Sequence, residues 1–252
     1  MVEIKTDAAL ESMREAGRVV ANALAAARAA AAVGVSLREL DEAARAVLNG
    51  AGARSPFLGY QPGFAPTPFP AVICASVNDA VVHGIPDDYR LRDGDLVSID
   101  CGAELDGWTG DAAISFTVGT PRPADLELIA ATQRALDAGI AAATVGHRIG
   151  DISHAISTVA RAADCGMPGD FGGHGIGRSM HEDPKVANFV TGEQLRGEMR
   201  IAAPASTTRC ALSGLSHSVG TITRGMPASR AVRMVPAPPV VITTSVRWNN
   251  SV

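Results

Sequence analysis

Residues 97–111, VSIDCGAELDGWTGD, constrain this chain more tightly than any other stretch. An apolar run ends in Ile99, Asp106-Gly107 follows after a few residues, and a second short run completes a hairpin pattern. Asp-Gly is a favoured two-residue turn between strands because both central positions need φ > 0. Counting outward from that turn sets Leu105 against Trp108 and Asp100 against Ala113. Asp111 then shares a sheet face with Asp100 as its diagonal neighbour, roughly 7–8 Å away at Cα. Two carboxylates that close repel each other. A solvated hairpin with an acidic face is the plain reading of such a pair. Asp100, however, directly follows Leu96-Val97-Ser98-Ile99, the pattern of a buried strand, and a buried unpaired carboxylate is costly. A divalent cation with oxygen ligands is the better explanation.

The chain around this hairpin has 252 residues, ample for a core, with 46% hydrophobic and 19% charged residues, as in ordinary globular proteins. No run approaches the ~18 apolar residues of a membrane span, and the acid-bearing N-terminus does not read as an export signal. Cys74, Cys101, Cys165 and Cys210 show no paired spacing, so reduced thiols in a cytoplasmic protein are expected. The net charge of −4 speaks against a nucleic-acid binder. That average conceals a break: residues 1–188 carry 15 basic and 24 acidic side chains, whereas residues 189–252 carry 7 Arg, no Lys, and only Glu193 and Glu198 as acids. The last 54 residues hold no acid at all. So sharp a change reads as a shifted reading frame near Phe189, with a divergent C-terminal module as the rival explanation.

Taken in order, residues 7–33 read as a long Ala-rich helix ended by Gly34. Ser36-Leu37-Arg38-Glu39 is a capping box that opens a second helix reaching about Leu48 and stopping at Gly50. An aromatic- and Pro-rich loop fills 54–70, a strand is expected over 71–77, and a second over 80–85, AVVHGI. After the hairpin, helices are expected over 123–143 and 151–163. Residues 33–40 and 145–152 both read V-G-x-x-apolar-x-acid-apolar, and both lie between two helices. That order predicts an internal duplication: two helix-pair-plus-sheet halves in one α+β domain.

Residues 171–184, FGGHGIGRSMHEDP, carry glycines at 172, 173, 175 and 177, which oppose a helix and suggest backbone held close to something else. His174 and His181 are seven apart, so this is no H-E-x-x-H helix. A lone His in such a stretch is more often structural. Beside an Asp100/Asp111 pair, a neutral imidazole becomes a natural further ligand. His83 closes an apolar run, in position to enter a cleft, while His147, His154 and His217 have no comparable context.

NDAVVHGIP, the DGD…SID…DG…GD hairpin and GGHGIGRSMHEDP, in this order and spacing, resemble the type I methionine aminopeptidases over about residues 10–188. The resemblance implies the α+β pita-bread (creatinase/aminopeptidase) fold, with two pseudo-symmetric halves around a site for two divalent cations (Co, Mn, Fe or Zn). It implies Asp100, Asp111 and His174 as metal ligands, and His181 as the histidine that steadies the tetrahedral intermediate. His83 falls near the scissile amide. Tyr60, Phe69, Cys74 and Met180 fall where the family lines its methionine pocket. The implied reaction is hydrolytic removal of the N-terminal methionine from nascent chains with a small second residue, near the ribosome, by a cytoplasmic monomer without nucleic-acid or membrane partners.

The departures are equally specific. The family's two further ligands, both Glu, come from strands beyond HEDP, and the first also serves as general base. Here no apolar-I-E-P segment appears, and no Glu follows Glu198. Residues 1–188 therefore read as the methionine-aminopeptidase-like catalytic domain and 189–252 as a divergent, frame-shifted tail, leaving one cation or none. The alternative is a catalytically inactive pita-bread module that binds a peptide or protein. A related proline dipeptidase would be expected to carry an extra N-terminal domain.

Overall fold

The computed structural model describes residues 3–63, 65–168 and 171–190, with the backbone of 223–224. Helix α1 (Asp7–Ala30) opens where the Thr6 side chain accepts from the Ala9 N–H at 3.2 Å. Its buried residues, among them Met13, Ala16, Val20, Ala23, Leu24 and Ala27, recur at three- and four-residue steps along one face. The expected span to 33 is three residues too long: Ala31 is already extended, at ψ 113°. Gly34 takes φ +91°, and α2 (Leu37–Gly50) starts on the expected capping box, the Glu39 carboxylate accepting from the Ser36 N–H at 2.8 Å.

Strand β1 (Ile73–Val77) pairs antiparallel with β2 (Leu96–Leu105), which pairs antiparallel with β3 (Trp108–Thr117), giving the order β1-β2-β3. The β2–β3 turn has φ +51° at Asp106 and +74° at Gly107, and the register sets Leu105 on Trp108 and Asp100 on Ala113. Alternation does the rest. Val97, Ile99, Cys101 and Ala103 are fully buried in the core shared with α1 and α2, which turns Asp100 and Gly102 to the other face. Helix α1 crosses β3 so closely that a Cβ at Gly110 would come within 2.8 Å of the Gly17 nitrogen. From α2, buried Asp41 accepts from the N–H groups of Val72 and Ile73 at 2.7 and 3.1 Å and pairs with Arg45 at 2.7 Å, fixing where β1 begins.

One element differs from expectation. AVVHGI is not a strand: Val82 and His83 have φ of +36° and +43°, and the segment meets β1 through a single ladder-like bond, Ala75 N–H to the Gly84 carbonyl at 2.8 Å. A Cβ at Gly84 would run into the Ala75 carbonyl oxygen, so the chain folds against β1 rather than extending along it.

The second half repeats the first. Helices α3 (Pro123–Ala142) and α4 (Ile149–Ala162) flank Gly146 at φ +89°, and Asp151 accepts from the Arg148 N–H at 2.7 Å as Glu39 does from Ser36. Their core gathers Ala135, Leu136, Ile152, Ile156, Ala160 and Cys165 with Val186. Its strands are short: β4 (Cys165–Gly166) pairs with β7 (Thr223–Arg224), and β5 (Gly172–Gly175) with β6 (Glu182–Ala187). Apart from that pair at 223–224, the acid-free tail lies outside the described residues, as do Cys210 and His217. No helix among the described residues is long and apolar enough to cross a membrane.

The loop between β1 and β2 is tied by buried Asp95, which accepts from the Asn78 amide (2.8 Å), the Tyr89 hydroxyl (2.9 Å) and the Arg92 N–H (2.8 Å). Burial alone would raise this carboxyl, but the three donors and the Arg92 charge hold it below its ordinary value. A carboxyl lowered in the folded state stabilises above the ordinary carboxylate range and loses that contribution as pH falls through the folded value. Asp95→Asn should cost about 1–3 kcal/mol at pH 7, with the gap to the parent closing below about pH 4. Urea denaturation at pH 7 and pH 3 checks this; an equal gap at both overturns it.

Candidate active site

The hairpin register brings Asp100 and Asp111 together on one face, with Gly102 directly opposite Asp111 and Cys74 opposite Asp100 on the other side. Asp111 is 7% exposed, and the Oδ1 of half-buried Asp100 is out of reach of solvent and without a hydrogen-bond partner. Burial pushes the Asp100 carboxyl up to about 7, while its hydrogen bonds with Asp111 and the Cys101 N–H pull the other way. Burial also raises the Cys74 thiol, and Asp100 and Asp111 raise it further, so Cys74 is a neutral wall residue and not a thiolate.

The glycine-rich hairpin β5–β6 delivers the imidazoles. A Cβ at Gly172 would lie 2.6 Å from the Val186 carbonyl oxygen, so glycine is what allows these two strands to close. A register shift between His174 and Gly175 separates the strand that carries His174 from the loop that leads to His181. His174 is 5% exposed, and its Nδ1 donates to the Gly175 carbonyl at 2.6 Å, which leaves Nε2 as an unprotonated donor to a cation. Burial pushes its pKa down to about 4. His174 Nε2 lies 4.0 Å from Asp111 Oδ2, and the His174 and His181 rings are 4.8 Å apart. Burial lowers the His181 pKa as well, and its Nε2 has no hydrogen-bond partner.

As placed, no three His, Cys, Asp or Glu side chains among the described residues enclose a common ion position. The two carboxyls are joined by a hydrogen bond, which one of them can donate because burial raises Asp100 towards the protonated form. The donor set nevertheless fits a cation, since Asp100 Oδ1 and His174 Nε2 are buried acceptors without a hydrogen-bond partner among the described residues.

Around this centre Tyr60, Phe69, Cys74 and Met180 pack into one apolar cluster with Phe57 and Ala71. The Tyr60 ring stands 5.9 Å from His181. The loop is pinched at its ends by the Phe69 N–H donating to the Tyr60 carbonyl at 2.9 Å. His83, 5% exposed, faces the Phe171 ring at 6.2 Å. Its left-handed backbone, beside that of β-branched Val82, is strained, and such strain persists only where the surroundings hold it. Exposed His147 lies in the connection between α3 and α4, and exposed His154 on α4. Sequence reasoning missed Phe57, whose ring occupies the space left by the absent side chain of Gly102, 2.9 Å from where a Cβ would be. It also missed Phe171 and buried Asn188, whose amide donates to the Phe171 carbonyl at 3.4 Å. The aromatic run from 57 to 69 was the signal for Phe57; the other two had none.

Carboxylates on a central hairpin, imidazoles on a glycine-rich one, and two related helix-pair halves around them define the pita-bread class of metallopeptidases. The chain belongs to metallopeptidase family M24, whose sequence profile matches residues 11–226, and within it to the type I methionine aminopeptidases. It is 56% identical over 150 residues to methionine aminopeptidase 1 of Mycobacterium tuberculosis, covering 59% of this chain and only about half, 54%, of that protein. It is 40% identical over 190 residues to the methionine aminopeptidase of Clostridium acetobutylicum, 75% of this chain and 74% of that one. The crystal structure of methionine aminopeptidase from Thermotoga maritima matches with a TM-score of 0.71 at 34% identity, covering 76% and 75% of the two chains. Family membership carries the use of a divalent metal ion.

Asp100→Asn and Asp111→Asn should each abolish the heat of Mn²⁺ or Co²⁺ binding in a calorimetric titration, because each removes one of the two carboxylates on this face. Unchanged affinity in either variant overturns the hairpin assignment.

Proposed function

We propose that this chain removes the N-terminal methionine from nascent polypeptides whose second residue is small. The observation that carries the reading is the convergence of two buried, unpartnered imidazole nitrogens, on His174 and His181, beside the Asp100/Asp111 face and an apolar cluster. Asp100, Asp111 and His174 would hold a divalent cation, which would supply Lewis-acid polarisation and activation of water when bound. His181 donates from Nε2 to the carbonyl oxygen as it becomes an oxyanion, and it reaches that task without breaking an existing hydrogen bond. His83 orients the scissile amide and the second residue. Tyr60, Phe69, Cys74 and Met180 hold the methionine side chain, to which aromatic faces and a flexible thioether are well suited. The cytoplasm, near the ribosome, is the setting, and the working form is a monomer.

We assign catalysis to residues 1–188 and treat 189–252 as a divergent, frame-shifted tail. Residues 199–252 hold no Glu, and Glu193 and Glu198 follow the His174 segment too closely to reach the site from a returning strand, so the two glutamates that complete the family's ligand set have no source there. Two cations carry +4, whereas Asp100 and Asp111 supply −2, an imbalance that is poorly screened in a buried cleft. This 252-residue form therefore holds at most one cation, weakly, and turns over slowly. Metal analysis together with a Met-Ala-type peptide assay tests the assignment. Two tightly held cations and turnover of ~1–10³ s⁻¹ overturn it.

Within that activity, His181→Ala should lower kcat by ~10²–10³ and leave KM nearly unchanged, because its donor matters only once the oxyanion forms. A variant that loses binding and keeps kcat makes His181 a ground-state contact.

A further inference from the structure

The loop from Ile176 to His181 is built from contacts that reach back to both ends of the first half. The Gly177 carbonyl accepts from the Thr109 N–H at 2.8 Å, next to the hairpin turn. The Arg178 guanidinium lies 3.9 Å from the centre of the Trp108 ring, and its Nη1 donates to the Gly107 carbonyl at 3.3 Å. Glu182, the residue after His181, divides its carboxylate. One oxygen accepts from the Ser179 N–H at 3.2 Å, and the other takes the Lys5 ammonium at 2.7 Å. Lys5 comes from the segment before α1, its side chain is 5% exposed, and it also pairs with Glu3 at 2.6 Å and lies over Trp108 at 5.8 Å. The ammonium fills the space beside Gly177, where any Cβ would strike it, and a Cβ there would also lie 2.7 Å from Glu182 Oε1. Desolvation works against the Lys5 charge, but the two carboxylates overcome it and raise its pKa.

We propose that Lys5, acting through Glu182, is a positioning residue for His181. The inference rests on the assignment of His181 to the oxyanion. A buried lysine aimed at the carboxylate that caps this turn fixes the turn's last residue. Ser179 and Glu182 bracket Met180 and His181, so the rotation of the His181 backbone is set by where the Glu182 carboxylate is held. The N-terminal segment thus serves as a strap: it couples α1 and the hairpin turn to the orientation of a catalytic ring that has no hydrogen-bond partner at Nε2.

The test uses the full chain with isotope-labelled histidine, the His181 ring signals being identified by their loss in His181→Ala. Lys5→Met and Glu182→Gln should each shift or broaden those signals while the exposed His147 and His154 signals stay in place. On a Met-Ala-type peptide each should lower kcat by ~10–100-fold with KM held within about twofold, the signature of a misplaced group. The double variant Lys5→Met/Glu182→Gln removes both charges, so neither is left buried and alone. It should regain the thermal midpoint but not the parental His181 signals, and it carries the test if a single variant does not fold. Parental His181 signals in Lys5→Met, or signals that recover along with stability in the double variant, make Lys5 a structural anchor and overturn the proposal. Loss of activity in His181→Ala is measured independently, so failure of the strap is distinguishable from failure of the His181 assignment.

Discussion

The antiparallel pairing of β2 with β3 is the constraint from which the rest of this structure follows. Because side chains alternate along a strand, one register choice at Asp106-Gly107 fixes two surfaces at once. It buries Val97, Ile99, Cys101 and Ala103 against α1 and α2, and it places Asp100 and Asp111 together on the opposite face. A slip of one residue would put carboxylates into the core and valine into the cleft. The hydrophobic face and the chemical face therefore hold each other in place, and α1 can cross β3 at the distance that Gly110 permits only in this register.

Three other segments are fixed in place around this hairpin, each by a different device. Asp41 fixes the start of β1 and so brings Cys74 opposite Asp100. The Asp95 network secures the loop that holds His83 in a left-handed conformation. Glycines in β5 let two short strands close and deliver His174 with Nδ1 committed to a carbonyl, which leaves Nε2 as the unprotonated nitrogen. The polar groups so gathered are expensive to bury. Desolvation raises the Asp100 carboxyl and lowers both histidines, because burial disfavours the charged form of each.

The two halves share a plan but not a weight. The turn glycines at 34 and 146 and the carboxylate caps at Glu39 and Asp151 recur at the same offset of 112 residues, so the same local rules build both helix pairs. The first pair rests on a three-stranded sheet, two of whose strands have ten residues; the second, among the described residues, rests on two-stranded pairings of two to six residues. All 26 acids fall within the first 198 residues, so the last 54 residues supply no carboxylate side chain.

By itself the sequence determined what is local or periodic. Asp-Gly admits one tight turn, so the β2–β3 register and the Asp100/Asp111 juxtaposition could be counted outward from it. Ser36 and Glu39 cap a helix through their own backbone, and alanines at helical spacing mark the face that α1 buries. The motif order around His83, Asp100, Asp111, His174 and His181 was legible for the same reason, since each lies in a short stretch with its own signature. Tertiary structure decided what depends on a neighbour distant in the chain. AVVHGI has the composition of a strand, yet Val82 and His83 bend into positive φ, and the segment meets β1 only at Gly84, where a side chain would strike the Ala75 carbonyl. Phe57 reaches the site only because Gly102, 45 positions later, leaves it room. Lys5 meets Glu182 across nearly the whole described chain, and no spacing rule links residues so far apart. Such pairings follow from burial: an ammonium or a ring settles where the folded chain leaves a charge or a void for it, and that place exists only once the chain has folded.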